Sequence, residues 1–590
     1  MNTNWNLDIL YKGFEDPKYS KDLEELKNVI KELNSLLNGD LTDKLHVIEE
    51  ELKLEERLTA LVGELYNYCS LRLSTNVNDT DAMNNCGVIS FILQDTVEAS
   101  VKFEKLLRDV NLDELRKQSK YVDKYYFNLS NAKKDASHLL SDKEEILASK
   151  LRSVGSDSWS SLQSQLTSNL MIKVEGFDEK MPLSAVRNLA YSADKKVRIN
   201  AYNAELKAYD QIKDSVAMAL NNIKREVNIF VPLRGYKDAL DMTLEQSHMS
   251  KATLDAMIEA IKEEAPNFRK YFKLKAKALG YSKGLPFYEL FAPMGSLTKT
   301  YTIEEAKKEV LDVYRSFSEP LYQMGKTAFE NRWIDFLPKE GKEGGAFCAG
   351  IDNHKQSRVL TNFTGSLGDI QTLAHELGHA YHGQVCLNND ILNRDYPMQL
   401  AETASIFCQT MLSKKMMTEF SDPKELLTIV DNSLQEDTQC VIDILSRYLF
   451  ETDVLNQPVS RTLSSDDLCK MMLKAQDESY GDGLDPEYRH PYMWLNKSHY
   501  YSAGLNFYNW PYAFGLLYAK GLYKQYLSNK EEFVKHYDTM LENTGKMCVE
   551  DVTASMNIDV TKKDFWIGSL KFIEEDITLF EKLLKELHLI

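Results

Sequence analysis

The stretch QTLAHELGHAYHG, residues 371–383, contains three of the chain's eleven histidines and a glutamate directly behind the first of them. Ser366 and Asp369 have the spacing of a helix capping box, so the pattern predicts a helix that starts just before this stretch. Residues four apart share one face of a helix, and His375 and His379 can therefore direct imidazole nitrogens at the same metal ion.

A glutamate completes the HExxH arrangement in this stretch. Glu376 projects beside the metal, where it would take a proton from water at the ion. A catalytic zinc site needs three protein ligands and one open position, and the segment MQLAETASIFCQTML, residues 398–412, supplies a third candidate in Glu402. The apolar spacing of this segment predicts a second helix, in which an unpaired glutamate would be costly unless it met a cation. The sequence therefore predicts a metal site formed by His375, His379 and Glu402.

The alternative is a crowded structural helix whose histidines cap carbonyl groups or fill the core, because a short motif of this kind also arises by chance. His382 lies one turn beyond His379 on about the same face. It is a candidate for support of the metal ligands or for substrate contact, and an ordinary surface histidine is an equal alternative.

The composition of the chain argues against several classes of function. A chain of 590 residues with 43% hydrophobic residues is long enough for two to four structural units. Its net charge of −18 argues against a nucleic-acid partner or an anionic membrane surface. The eight cysteines form no CxxC pair and are expected to be reduced, and no export signal or membrane span is recognisable. We therefore expect a cytoplasmic protein with no nucleic-acid or membrane partner.

Helical periodicity extends through most of the chain. The segment DLEELKNVIKELNSLL from Asp22 repeats its apolar residues at spacings of three and four, and glycine and proline are sparse. A predominantly α-helical fold is expected, with a boundary near residues 173–184 that separates an N-terminal helical lobe, 1–180, from a catalytic domain, 181–590. The β-like region spans residues 337–369, directly before the histidine cluster.

Two parts of this β-like region have a possible role in binding. An exposed edge at VLTNFTG, residues 359–365, would pair with an extended peptide through backbone hydrogen bonds. The opposing GGAFCAG, residues 344–350, would let a substrate backbone approach closely. A strand pair that serves packing alone is the alternative.

Several segments resemble one family. HELGHAYHG followed by LAETAS, together with FYELFAPMG, FENRWIDFLPKEGKEGGAFCAG, RVLTNFTGSLGDIQTLAHELGH and HYYSAGLNFYNWPYAFG, is similar to the oligoendopeptidase F branch of the M3 metallopeptidases. The resemblance spans most of the chain. It implies an almost wholly α-helical fold in which two lobes enclose a substrate channel, with a small sheet beside the HExxH helix.

The resemblance also implies an activity. It suggests hydrolysis of internal bonds in short peptides, with one zinc ion per chain held by His375, His379 and Glu402 and with Glu376 as general base. A later segment, residues 499–512, contains the side chains that the family directs at the scissile carbonyl.

These later side chains are His499, Tyr508 and Tyr512, and imidazole or phenol donors there would stabilise the oxyanion. The sequence departs from the family at Gln409, where a glutamate is usual. Position 409 lies two helical turns beyond Glu402 and is a candidate to support a metal ligand.

Two alternatives to an endopeptidase stay open from sequence. A carboxypeptidase or dipeptidyl carboxypeptidase would use the same zinc chemistry, and it would need a cationic group for the substrate's C-terminal carboxylate. A non-catalytic helical protein that uses zinc for structure or peptide binding is less consistent with three nitrogen and oxygen ligands, because structural zinc sites favour four ligands and cysteine.

Overall fold

The computed structural model describes residues 2–295 and 299–590. It is predominantly α-helical with only small sheets, as the sequence predicted. The helices in chain order are α1 (Pro17–Leu37), α2 (Lys44–Thr75), α3 (Thr80–Leu93), α4 (Val97–Arg108), α5 (Leu112–Gln118), α6 (Lys120–Lys124), α7 (Tyr126–Ala136), α8 (Asp142–Val154), α9 (Ser156–Ser168), α10 (Leu183–Asn188), α11 (Lys195–Tyr209), α12 (Lys213–Leu233), α13 (Ala239–Gln246), α14 (Lys251–Ala278), α15 (Ile303–Phe317), α16 (Glu319–Glu330), α17 (Leu367–Cys386), α18 (Met398–Ala401), α19 (Thr403–Glu419), α20 (Pro423–Thr438), α21 (Ile444–Leu455), α22 (Ser465–Tyr480), α23 (Trp510–Ser528), α24 (Lys530–Asn543), α25 (Val549–Ala554) and α26 (Lys563–Glu586).

In the described part of the chain the strands form two small sheets. They are β1 (Met171–Lys173), β2 (Lys180–Pro182), β3 (Ile334–Asp335), β4 (Phe347–Ile351) and β5 (Gln356–Leu360). The order β3-β5-β4 places β5 in the centre of the second sheet, parallel to β3 and antiparallel to β4. Strands β4 and β5 lie in the region that the sequence identified as β-like, whereas β3 lies just before it. The β1–β2 hairpin was not expected, because strands of three residues are too short to show an alternating pattern.

The chain divides into two compact units, each assembled from three segments. The first unit contains Met1–His138, Lys299–Leu412 and Gln525–Asn557, and the second contains Leu139–Thr298, Ser413–Lys524 and Ile558–Ile590. The sequence-based boundary near residue 180 and the enclosed channel stay predictions.

The core of the first unit joins its N-terminal helices to its sheet. Asp16 caps α1, and the apolar stripe that the sequence predicted is buried, with Leu26, Ile30 and Leu33 at most 4% exposed. Leu360 of β5 belongs to the same hydrophobic cluster. The N-terminal helices therefore support one side of the sheet, and α17 packs against β4 and β5 as well.

The second unit combines a hydrophobic core with buried ion pairs. Lys275 and Asp431, both fully buried, approach to 3.1 Å, and Lys224 lies 2.8 Å from Glu451. Breaking such a pair leaves an uncompensated buried charge, so both pairs constrain how this unit packs.

Among residues 2–295 and 299–590, none of the helices combines the length and the apolar character that crossing a bilayer requires. The eight cysteines all lie within these ranges, and none of them forms a disulfide bond.

Candidate metal centre

The helix that carries the HExxH stretch begins as the sequence predicted. Ser366 precedes α17 and forms a capping box with Asp369, whose backbone N–H donates to the serine hydroxyl at 3.1 Å. On the packed face, Ile370, Leu373 and Leu377 are fully buried. The buried stripe fixes the rotation of the helix and hence the direction of its histidines.

Two histidines and one glutamate converge beside this helix. The Nε2 atoms of His375 and His379 lie 3.2 and 3.4 Å from Oε2 of Glu402, and the three ligand atoms lie within 4.8 Å of one another. Two ligand atoms that are each about 2 Å from one zinc ion at a tetrahedral angle are about 3.3 Å apart. The donor set and its spacing therefore fit a zinc ion with a further coordination position.

A glycine in the motif brings the third ligand close. A Cβ atom at Gly378 would lie 2.6 Å from the Cα of Ser405 and 2.7 Å from the carbonyl oxygen of Ala404, so only glycine allows α17 and α19 to approach this closely. The sequence placed Glu402 within a continuous helix. Instead the helix is interrupted at Glu402, between α18 and α19, and the Ser405 hydroxyl donates to its carboxylate at 2.7 Å.

The charges at this site favour a cation. Burial alone would raise the pKa of Glu402, but hydrogen bonds from His375 and His379 hold it well below its usual range. Burial alone would lower the pKa of His375, and Glu402 reverses this, so the pKa of His375 is raised. Glu402 is thus an anion that attracts positive charge to the point where the imidazole nitrogens meet.

Gln409 supports the first histidine. Its Oε1 lies 3.0 Å from Nδ1 of His375, which is a hydrogen bond with Nδ1–H as donor. This contact leaves the lone pair of Nε2 for the metal. The position that departs from the family pattern therefore contacts a metal ligand, and it does so without a negative charge.

The ligands line a cavity of about 700 Å³ in the first unit. Glu376 lies in the same wall, 6% exposed, and burial raises the pKa of its carboxyl group. A carboxylate of raised pKa next to a metal is suited to accept and return a proton near neutral pH.

The sheet borders this cavity mainly through β4. Cys348 and Gly350 of β4 line it, and β5 contributes Ser357 but is paired on both sides at its C-terminal end. The expectation that residues 359–365 present a free edge is wrong for the strand part of that segment, because Val359 and Leu360 pair with both β3 and β4. The edge next to the cavity belongs to β4, within the glycine-rich segment 344–350.

His382 is neither a surface residue nor part of the cavity wall. It is fully buried, its Nε2 lies 2.9 Å from the hydroxyl of Thr544, and burial lowers its pKa to about 3. Its ring stacks on Tyr396 with a centroid distance of 4.0 Å. Tyr396 does line the cavity, so His382 contacts the cavity wall from behind through this tyrosine.

The three side chains implied by the family resemblance form a cluster in the second unit. The ring centroid of His499 lies 4.8 Å from that of Tyr508 and 6.5 Å from that of Tyr512. Burial lowers the pKa of His499, with nearby Arg447 and Lys497 adding to the effect, so the imidazole is neutral at pH 7. A neutral imidazole and two phenols are hydrogen-bond donors.

A buried ion pair holds the segment on both sides of Tyr508. Lys224 donates to Asn506 at 2.8 Å and contacts Glu451, and the amide of Asn509 donates to Glu451 at 3.0 Å. Residues on both sides of Tyr508 are thereby anchored to the interior of the second unit.

Sequence reasoning missed further residues of the cavity. Asp352, Arg394 and Tyr396 line it, and the last two lie in the loop between α17 and α18. The Tyr-Pro pair directly before α18 marks a helix start, which is the one local signal for this loop. Nothing in the sequence singles out one arginine among many.

A helical protein with a His-His-Glu group in a cavity wall has the features of a metallopeptidase. The sequence profile described as peptidase family M3 matches residues 188–572, and the chain belongs to this family of metallopeptidases. A second profile, described as oligopeptidase F, matches residues 106–171, and with the relatives below it identifies the oligoendopeptidase F branch.

Relatives match along almost the whole chain. Oligopeptidase PepF of Bacillus subtilis is 24% identical over 592 residues, which covers 98% of this chain and 87% of the relative. An oligoendopeptidase F homolog of Lactococcus lactis is 25% identical over 599 residues, with 99% and 97% coverage.

Solved structures share the fold. A putative peptidase from Chlamydophila abortus superposes with a TM-score of 0.84 at 20% identity, covering 98% of both chains. Oligoendopeptidase-F from Enterococcus faecium gives a TM-score of 0.71 at 19% identity, covering 96% of this chain and 99% of that one.

Proposed function

We propose that this chain is a cytoplasmic zinc endopeptidase that hydrolyses internal bonds of short peptides. The observation that carries the proposal is the convergence of His375, His379 and Glu402 in the wall of a cavity that also contains the Glu376 carboxylate. Three ligands with a nearby carboxylate are the arrangement of a catalytic rather than a structural zinc site.

Each residue then has a role. Zinc, when bound, supplies a Lewis acid that polarises the scissile carbonyl and acidifies water. Glu376 takes the proton of the attacking water and delivers it to the leaving amine. His499, Tyr508 and Tyr512 donate hydrogen bonds to the carbonyl oxygen as it gains negative charge.

The edge of β4 is proposed to hold the substrate. An extended peptide that pairs with residues 347–351 uses backbone hydrogen bonds, which do not depend on its sequence. Gly350, on the cavity side, presents no side chain of its own.

The test is cleavage of a mixed peptide library, read by mass spectrometry with and without a chelator. We expect internal cleavages that disappear with the chelator and return with zinc. The Glu376→Gln variant, which keeps the shape of the site, is the matched control and should leave the library intact. Cleavage that persists in both the chelated enzyme and this variant would remove the metal site from the reaction.

A carboxypeptidase is the second candidate, and one observation favours it. Such an enzyme needs a cation for the C-terminal carboxylate, and Arg394 lines the cavity. A peptide amidated at its C-terminus separates the two activities, because an endopeptidase cleaves it and a carboxypeptidase does not.

We also propose that the enzyme cleaves short peptides and not folded proteins, as the family resemblance implies. Unfolding a domain to reach an extended conformation costs about 5–15 kcal/mol, whereas a flexible peptide needs no unfolding. A cleavable sequence should therefore be cut in a free peptide and resist cleavage when it is held in a stable folded domain at equal concentration. Equal cleavage of both would contradict an enclosed channel.

A further inference from the structure

Positive charge is scarce in the wall of the metal cavity. Among its lining residues, all within the described part of the chain, Arg394 is the only lysine or arginine. The wall contains five carboxylates, namely Glu64, Asp352, Glu376, Asp395 and Glu402. One guanidinium does not balance the charge of five carboxylates, so the presence of Arg394 in this wall calls for a more specific explanation.

Most of the carboxylates have other partners. Glu64 lies 2.9 Å from the Lys18 ammonium and 3.0 Å from the His354 imidazole. Asp395 is exposed and accepts the backbone N–H of Tyr396 at 3.0 Å. Glu376 and Glu402 belong to the metal site. Only Asp352 is left as a partner for Arg394.

Asp352 makes only a long contact with the guanidinium of Arg394. Its Oδ2 lies 3.9 Å from the terminal nitrogen of Arg394, which is beyond hydrogen-bond length. Burial raises the pKa of the Asp352 carboxyl group against the pull of Arg394, which weakens this pair further.

The side chain of Arg394 is nevertheless held in place. Its Nε–H donates to the carbonyl oxygen of Asn389 at 3.0 Å, and the side chain is 21% exposed. The four terminal N–H groups make no hydrogen bond to any described residue. The Nε–H end of the guanidinium is thus held in place, while the terminal nitrogens, which can bind a carboxylate in bidentate fashion, make only the long contact with Asp352.

We propose that Arg394 is a specificity-determining residue that binds a carboxylate of the peptide substrate within the metal cavity. The inference rests on the proposed peptidase function and names the preferred substrates, which are peptides with a carboxylate at a fixed number of residues from the scissile bond. The carboxylate is either the free C-terminus or an Asp or Glu side chain, and both present the same two oxygens to the guanidinium.

The test uses isosteric peptide pairs that differ only in this charge. A cleaved peptide is made with a C-terminal acid or amide, and with Glu or Gln at each position on either side of the scissile bond. We expect the wild type to favour the carboxylate of one pair by about tenfold in kcat/KM, mainly through KM, the effect of one charge-assisted hydrogen-bonded pair. The pair that shows the preference identifies the source of the carboxylate.

Variants connect this preference to the arginine. Arg394→Gln should reduce the ratio to near one, and Arg394→Lys should keep part of it. Arg394→Glu should reverse it toward peptides with Lys at that position. Arg108→Gln, at an exposed position outside the cavity, is the control and should keep the wild-type ratio. Each ratio is measured within one variant, so a partial loss of folded enzyme or zinc does not alter it.

Two outcomes overturn the inference: a wild type without any carboxylate preference, or a preference that Arg394→Gln retains. Affinities of the same peptides for the zinc-loaded Glu376→Gln enzyme, measured by fluorescence anisotropy, give the ratio without cleavage. A wild type that binds peptides with this preference and cleaves none would contradict the proposed function and leave the role of Arg394 standing.

Discussion

Gly378 lies against the backbone of Ser405, so closely that a single methyl group at position 378 would come within 2.6 Å of the serine Cα. Because Gly378 stands between the glutamate and second histidine of the HExxH motif and Ser405 follows the third ligand, this contact sets the distance between the two ligand-bearing segments.

The substitution Gly378→Ala should therefore separate the ligands. We expect a loss of stability of about 1–3 kcal/mol, as for other overpacked sites, and a weaker affinity for zinc. Thermal unfolding with and without added zinc measures both effects. Gly383→Ala, on the same helix and with no atom within 4 Å of its new methyl group, should keep stability and zinc binding at wild-type levels or above. Equal behaviour of the two variants would contradict this account.

Removal of one imidazole should abolish metal binding. His375→Ala and His379→Ala leave two ligands, so elemental analysis should fall from one zinc per chain to near zero and activity should disappear. The helical fold should survive in circular dichroism, because most of the core lies away from the metal. Full zinc occupancy in both variants would contradict the assignment of these histidines as metal ligands.

The substitution Glu376→Gln should separate binding from chemistry. The amide keeps the shape of the side chain but cannot accept a proton, so kcat should fall by about a hundredfold to ten-thousandfold while zinc content stays at one per chain. Steady-state kinetics combined with elemental analysis measures this. Near wild-type turnover would remove Glu376 from the role of base.

Gln409 offers a graded test of the contact to His375. Glutamate at position 409 would make His375 a more basic ligand, and methionine would remove the hydrogen bond, so zinc affinity should rise in Gln409→Glu and fall by about tenfold to a hundredfold in Gln409→Met. Competition with a chelating dye gives the affinities. If the three proteins bind zinc equally, the contact at 3.0 Å has no effect on the metal.

The buried His382 should make the protein sensitive to acid. Its pKa is lowered from 6.5 to about 3 in the folded chain, so between these values the unfolded chain binds more protons and stability falls as the pH falls. The full effect corresponds to about 5 kcal/mol.

Melting temperatures of chelator-treated protein at about pH 7.5 and about pH 5 test this prediction without a contribution from the metal. His382→Gln should show a smaller drop than the wild type, whereas His536→Gln, at an exposed position, should show the same drop. An unchanged drop in His382→Gln would mean that other groups cause the acid sensitivity.

Local patterns predicted that His375, His379 and Glu402 come together, because most of this cluster is set by local structure. Helical spacing fixes which face His375 and His379 share, and the capping residues fix where the helix starts. The interruption at Glu402 was not predictable, since the apolar stripe continues through it. The close approach of Gly378 to Ala404 and Ser405 lies next to this break, and a contact between two separate segments cannot be read from the spacing of one of them.

Strand pairing and the lining of a cavity depend on residues that are far apart in the sequence. The sequence therefore predicted these features less well than the local ones. Residues 356–360 look like any short strand, and only the pairing with residues 334–335 makes them central rather than an edge. The role proposed for Arg394 likewise follows from the residues around it in space, which the sequence does not show. The hydrogen-bond partner of the buried His382 is Thr544, which lies 162 residues away in the sequence.

The anchoring of the segment around Tyr508 has a consequence for the cost of binding. Asn506 and Asn509 are fixed by the buried Lys224–Glu451 pair, so the backbone at Tyr508 loses its conformational freedom when the chain folds. Ordering one residue costs about 1–2 kcal/mol of entropy, and this loss does not recur each time a ligand arrives. In its proposed role, Tyr508 would therefore meet a substrate with its backbone already ordered.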